Sequence, residues 1–356
     1  MTIHQAVIDA LFWVSATIAL LAIATVIRKS VRAQMERRRA RVEASVRPRL
    51  LKLLASDGED ERDLSTVTGR EGRVLESVTA SLLTKLRGED RAAVVQMLEA
   101  RGRVQAAQRA VRGRGTVKRA RAAEFLGATA TPAAYDDLLQ LLHSRNAELR
   151  TVAARSLGRM GIADAVEPLL DTLEGDEPLP AGVVTMSILH LGPVAEEPLR
   201  ELGLTHPSPV ARRISAELLG VNGTFGAIPA LVALSGNDAD RDVRAAAVGA
   251  LGRIGHPNGI DALVACVAGL DARIAAAAAR SLGQVGSPQA VQPLARAVRH
   301  ESHQVATNAA DALIRLGADG RAALRDIARA NDSASRYARG ALSAADARAV
   351  RSGRAA

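Results

Sequence analysis

The stretch VRAAAVGALGRIGHPNGIDALVACV, residues 243–267, decides the fold. Val243, Ala246, Ala247, Ala250, Leu251 and Ile254 recur at i, i+3, i+4, i+7, i+8 and i+11, which puts them on one face of a helix. Ile260, Leu263, Val264 and Val267 do the same for a shorter helix. Between them Gly255-His256-Pro257-Asn258-Gly259 breaks the chain, with glycine ending one helix and the turn resetting its direction. Such a hairpin has one apolar face and cannot bury it alone, so it must stack on copies of itself.

The copies are present. Hairpin-ending phrases stand at FLGATA (125–130), SLGRMG (156–161), SILHLG (187–192), LLGVNG (218–223), ALGRIG (250–255), SLGQVG (281–286) and ALIRLG (312–317). Their spacing is about 31 residues throughout, with one step of 32 between positions 223 and 255. A second register runs in phase with the first: Asn146, Ser208, Asp240, Asp271, Ser302 and Ser333 fall where a helix should start, and all are residues whose side chain can accept from the free N–H groups there. Glu177 occupies the same phase but is not such a residue, and Asp176 and Pro178 beside it point to a cap displaced by one. Pro168, Pro198, Pro229 and Pro293 recur in the first turn of the shorter helix, where a missing N–H costs least.

On these phrases the chain resembles the HEAT-like repeat proteins of the short, phycobilisome-lyase type, well over residues 116–345 and weakly over 70–115. The resemblance implies an all-α, right-handed α-solenoid of helical hairpins about 31 residues long, and it implies nothing about activity. The arginine that the family carries early in the second helix is matched by Arg150, Arg212 and Arg244, whereas Ala181, Ala275 and Ala306 stand at the other equivalent positions. An inter-repeat Asp–Arg ladder is therefore expected over only part of the stack.

Residues 6–27, AVIDALFWVSATIALLAIATVI, carry Asp9 as their one charge. A helix needs about 20 apolar residues to cross a bilayer core, so the length fits one transmembrane helix. All the nearby arginine and lysine follows the stretch, which by the positive-inside rule leaves the amino terminus outside and the rest of the chain on the cytoplasmic face of a plasma (inner) membrane, in a single pass. The expected organisation is a signal anchor over 1–29, a basic juxtamembrane helix and acidic linker over 30–69, atypical capping hairpins over 70–115, the solenoid over 116–345 and a basic tail over 346–356.

The net charge of +9 is concentrated in two places. Residues 28–49 hold nine basic side chains, among them Arg28, Lys29, Arg32, Arg37, Arg38, Arg39 and Arg41, against Glu36 and Glu43. Beside a spanning helix such a run is suited to anionic lipid headgroups, each cation near the surface contributing about 1 kcal/mol. Residues 101–121 hold eight, including Arg109, Arg112, Arg114, Lys118, Arg119 and Arg121, with no acid among them. A solvated helix face, lipid headgroups, an acidic protein surface and nucleic acid are all compatible with this second cluster.

Catalytic signatures are missing. The one cysteine, Cys266, excludes an internal disulfide and reads as a small buried hydrophobe. The seven histidines never fall in HExxH spacing, the single His-Glu pair is His300-Glu301, and no phosphate-binding glycine loop or nucleophile elbow occurs. No cofactor, metal or small-molecule substrate is expected, and the chain reads as a non-enzymatic scaffold that binds a protein at the membrane, for example an integral membrane enzyme such as a glycosyltransferase. A membrane-tethered nucleic-acid binder is the main alternative, with lyase-like and hydroxylase-like HEAT enzymes behind it. The residues expected to meet a protein partner, on a concave surface built by the second helices, are Arg150, Arg155, Arg212, Arg213, Glu217, Arg244 and Arg280.

Overall fold

The computed structural model describes residues 88–330 and 332–353 continuously, with isolated positions from 29 to 86. The stretch 6–27, the cations Arg28, Arg32, Arg37, Arg38, Arg39 and Arg41 and the acidic linker lie outside the described residues; Lys29 is described, helical and exposed. Among the described residues there is no β-strand, and no helix is long and apolar enough to cross a membrane. The chain divides into compact units over 1–110 and 111–356.

In the first unit α1 is Gly88–Ala100, which buries Val94, Met97 and Leu98. Helix α2, Arg103–Arg112, leads into the second. That unit is a run of hairpins in which a short helix alternates with a long one. The long, second helices are α3 (Thr116–Thr129), α5 (Ala147–Met160), α7 (Ala181–Leu191), α9 (Pro209–Asn222), α11 (Arg241–Ile254), α13 (Ala272–Val285), α15 (His303–Arg315) and α17 (Ser335–Gly353). The first helices are α4 (Tyr135–Leu142), α6 (Val166–Asp171), α8 (Glu196–Pro198, continued by a π turn over Leu199–Gly203), α10 (Ile228–Asn237), α12 (Ile260–Val267), α14 (Val291–Ala297) and α16 (Gly317–Arg329). Most of the first helices are entered through a single 3-10 turn, as at Pro257–Gly259 before α12. Residues 346–353, expected as tail, continue α17.

The local chemistry follows the sequence at most ends. Asn146, Asp240 and Asp271 each accept from two backbone N–H groups of the helix they open, and Ser208 accepts from that of Ala211. Gly161, Gly223, Gly255 and Gly286 end their helices in the left-handed region, which glycine enters without steric cost. Three helix starts differ from expectation, the first being that of α15, which Ser302 opens without a side-chain hydrogen bond to its N–H groups. The helix after Glu177 starts at Ala181, because Pro180, three residues past Glu177, takes the cap position at the close of a longer loop, so the cap is displaced by three residues and not by one. At the last hairpin the cap is Asp332, whose carboxylate accepts from the N–H groups of Ala334 and Ser335, and Ser333 lies within the turn.

Core packing runs along the second helices. Of the face read from the sequence, Val243, Ala246, Ala247, Ala250 and Leu251 are buried, and only Ile254, at the helix end, is half-exposed. Successive second helices touch through glycine: a Cβ on Gly127 or Gly220 would lie 2.6 Å from the backbone of Ser156 or Ala250, one on Gly283 would lie 2.7 Å from the Ala312 Cβ, and Gly158 and Gly252 press as closely on Ser187 and Ser281. Glycine is missing from this place twice, at Ile314 in α15 and at Leu189 in α7. Leu189 stands where glycine would be, and α7 and α9 touch far less than the other neighbouring second helices. Here Gly203 of the π turn packs on Ser215 of α9 instead.

Candidate protein-binding face

The arginines expected to meet a partner fall into two groups. Arg150, Arg212 and Arg244, which share one phase of the repeat, turn back into the loops. Arg150 donates to the carbonyls of Ser144 and Arg145 and, across to the next loop, to the Glu177 carbonyl at 3.0 Å and carboxylate at 2.9 Å. Arg212 donates to the carbonyls of His206 and Pro207 and reaches both oxygens of Asp238, at 2.8 and 2.9 Å. Arg244 donates to the carbonyls of Asp238 and Ala239, with its other guanidinium nitrogen 3.9 Å from Asp271. Each thus ties its own loop to that of the following repeat, which is the ladder the family resemblance implied. Arg241–Asp271 and Arg273–Asp242 add cross-links between α11 and the start of α13, the first at 2.7 Å and the second at 2.6 Å.

These pairs carry a pH signature. The two hydrogen bonds from Arg212, followed by the backbone N–H of Asp240, hold the Asp238 carboxyl below the ordinary carboxylate range; Arg241 does the same for Asp271. A carboxyl whose folded pKa lies below its unfolded value of about 3.9 contributes stability above that value and loses it as the pH falls through the lower folded one. Replacing Asp238 with asparagine should therefore destabilise the repeats by a constant amount above about pH 5 and by progressively less below about pH 4, as read from denaturant midpoints across that range. A gap between the two proteins that widens toward acid would contradict this assignment.

The second group lies on the face built by the second helices. Arg213, Glu217 and Arg280 line a groove of about 770 Å³ whose walls come from α9, α11 and α13, with Gln304 of α15 at one end. Its floor is Ala245, Ala246, Gly249, Ala276 and Ala277. Arg213 pairs with Glu217 at 2.9 Å, one helical turn along, and Arg273 pairs with Asp242, so both carboxylates in the groove are engaged. Arg253 and Arg280 line the same groove without an ion pair among the described residues. Arg155, the remaining expected residue, lies with Arg159 in a separate groove of about 560 Å³ against Val183, Met186 and His190. Each groove also presents an exposed apolar side chain, Met186 of α7 in the Arg155 groove and Val221 of α9 in the Arg213 groove, 49% and 63% exposed.

Arg253 and Arg159 escaped the sequence reading, although their signal was available. They occupy the fourth place of the hairpin-ending phrase, which holds Arg159, His190, Val221, Arg253, Gln284 and Arg315 in successive repeats. A position that is turned away from the core in all six of these repeats and holds four residue types is where a repeat protein differentiates its binding surface.

The second basic cluster also divides. Arg112 is paired with Asp137 and Arg119 donates to the Val111 carbonyl at 2.8 Å. Arg109 donates to the Gln105 carbonyl within its own helix. Arg114, Lys118 and Arg121 are exposed, around an equally exposed Val117 at the start of α3. Cys266 donates weakly to the Ser235 carbonyl, and burial pushes its thiol up, away from the thiolate form that reacts. Among the described residues no three His, Cys, Asp or Glu side chains are grouped so as to hold a metal ion.

A family model described as HEAT repeats matches residues 105–187, 196–269 and 268–345, well over half of the chain. The chain is a HEAT-repeat protein. Solved structures with similar chains include YibA of Escherichia coli, at 16% identity over 78% of this chain and 97% of that one with a TM-score of 0.40. An engineered protein is similar at 19% identity over 83% and 98%, with a TM-score of 0.37. Human deoxyhypusine hydroxylase in complex with glycerol is similar at 21% identity over 68% and 94%, with a TM-score of 0.30. A comparison with curated protein sequences found no match.

Proposed function

We propose that this HEAT-repeat protein is a non-catalytic scaffold, tethered to the plasma membrane, that holds a protein partner against the face of its second helices. The observation that carries the reading is the groove over α9, α11 and α13, where two guanidiniums stand without a carboxylate and the floor is small enough to admit a partner's backbone. Arginine is the side chain best fitted to grip carboxylates bidentately. Stacked repeats supply such a surface without any chemistry of their own. The partner is an integral membrane protein, an enzyme such as a glycosyltransferase being one kind.

The tether is residues 6–27, with the amino terminus outside and the repeats in the cytoplasm. Anionic lipid headgroups are the second partner, met by the basic run after the anchor and by the exposed Arg114, Lys118 and Arg121. The same three cations favour one other reading, nucleic-acid binding, which would show as an affinity falling steeply with salt. Topology is tested by labelling intact cells with a membrane-impermeant thiol reagent. A cysteine introduced at position 2 should react and Cys266 should not; the reverse pattern removes the tethered-scaffold reading. The binding face is tested by a photo-crosslinking residue at Gln284, in the groove wall, which should give one discrete adduct in native membranes.

A further inference from the structure

The reading above leaves open what kind of segment the face accepts, and four arginines with an apolar gap between them narrow the choice. Among the described residues Arg155 and Arg159 on α5 and Arg253 and Arg280 on α11 and α13 engage no acidic side chain, whereas the acids beside the second pair, Glu217 and Asp242, are already held by Arg213 and Arg273. Arg150, Arg212 and Arg244, by contrast, have their guanidiniums taken up by loop carbonyls and carboxylates, while Arg253 lies over Gly220 and Gly249 with no carboxylate against it. The two pairs flank the stretch where Leu189 interrupts the glycine ladder and large apolar side chains, Met186 and Val221, stand open to solvent. Apolar groups grouped in this way on a folded surface mark a contact site, and methionine adapts its shape to what it meets.

We propose that the second-helix face takes a short protein segment with an apolar centre and acidic ends: the centre covers Met186 and Val221, and the ends place carboxylates on Arg155 and Arg159 at one side and on Arg253 and Arg280 at the other. This rests on the scaffold reading and names the chemistry of the partner. From α5 to α13 there are four helix spacings of about 8–10 Å each, so the cations are spread over roughly 30–40 Å. An extended chain rising about 3.3 Å per residue crosses that in some ten to twelve residues. A polyanion is a poorer match, since its charge is continuous and would be laid across an apolar stretch and beside Glu217 and Asp242.

The test uses the full-length protein in detergent and fluorescence anisotropy of a labelled peptide with three glutamates at each end of an Ala-Leu-Ala-Leu-Ala-Leu centre, at fixed moderate salt. The peptide should bind, and its counterpart with glutamine ends should bind at least tenfold more weakly, each charged hydrogen bond being worth about one to two factors of ten. Arg253→Gln with Arg280→Gln should weaken binding by about tenfold or more, as should Arg155→Gln with Arg159→Gln; Met186→Ser should weaken it severalfold. The Lys versions of the arginine variants keep the charge and should retain part of the affinity, which separates lost recognition from a damaged fold. Equal binding of the glutamine-ended peptide, unchanged binding by both glutamine variants, or equally tight binding of an all-glutamate peptide or of single-stranded DNA would each overturn the proposal. If the peptide fails while the crosslink from Gln284 to a membrane protein persists, the scaffold reading stands and the acidic–apolar–acidic occupant falls; if both fail, both are wrong.

Discussion

Replacing Leu251 with alanine is expected to cost about 2–5 kcal/mol, the range for removing a fully enclosed leucine from a packed core. Leu251 is 1% exposed and lies midway along the stack, on α11, against Gly259 of the turn that follows its own helix. Because each hairpin is supported only by its neighbours, the loss should spread as a local opening and need not unfold the whole chain. Hydrogen exchange resolved along the sequence is the measurement: α9 to α13 should lose protection most. A cost below about half a kcal/mol would mean that the apolar face of the repeat had been assigned to the wrong side of the helix.

Replacing Gly158 with valine should also be damaging, for the opposite reason. The glycine lets α5 rest directly on the backbone of Ser187 in α7, and a side chain there would collide with that backbone, which cannot rotate out of the way. Overpacking of this kind costs typically about 1–3 kcal/mol; with backbone as the obstacle, the upper end is expected. Gly340 of α17 provides the control, since a Cβ built there meets nothing within 4 Å. Gly340→Ala should instead stabilise by roughly 0.5–1 kcal/mol through helix propensity. Thermal midpoints of the two variants that move in the same direction would contradict the glycine ladder.

The hairpin and its period were legible because they are local. The i, i+3, i+4 spacing of Val243 to Leu251 and the caps at Asn146, Asp240 and Asp271 need only the residues within a turn or two. Where a loop lengthened, phase alone misplaced the helix start, as after Glu177, where Pro180 takes over. The glycine ladder was hidden, since Gly127 or Gly252 reads as an ordinary helix glycine until the next repeat's serine is set beside it. The candidate face was legible only in part. Arg150 and Arg280 look alike along the chain; what separates them is a set of loop carbonyls and a glutamate 27 residues away, which only the folded stack brings to Arg150. Arg213, by contrast, is matched by Glu217 at i+4, a pairing open to inspection in the sequence itself.

The central claim is that the second-helix face, and not the loops or the basic corner, holds a protein partner. Its most direct test is the crosslink from Gln284 in native membranes, repeated in a protein carrying both Arg253→Glu and Arg280→Glu. These side chains line the groove without ion pairs of their own, so their reversal should leave the thermal unfolding midpoint nearly unchanged while the adduct disappears. An adduct of undiminished yield, or a protein that unfolds instead, would contradict the account.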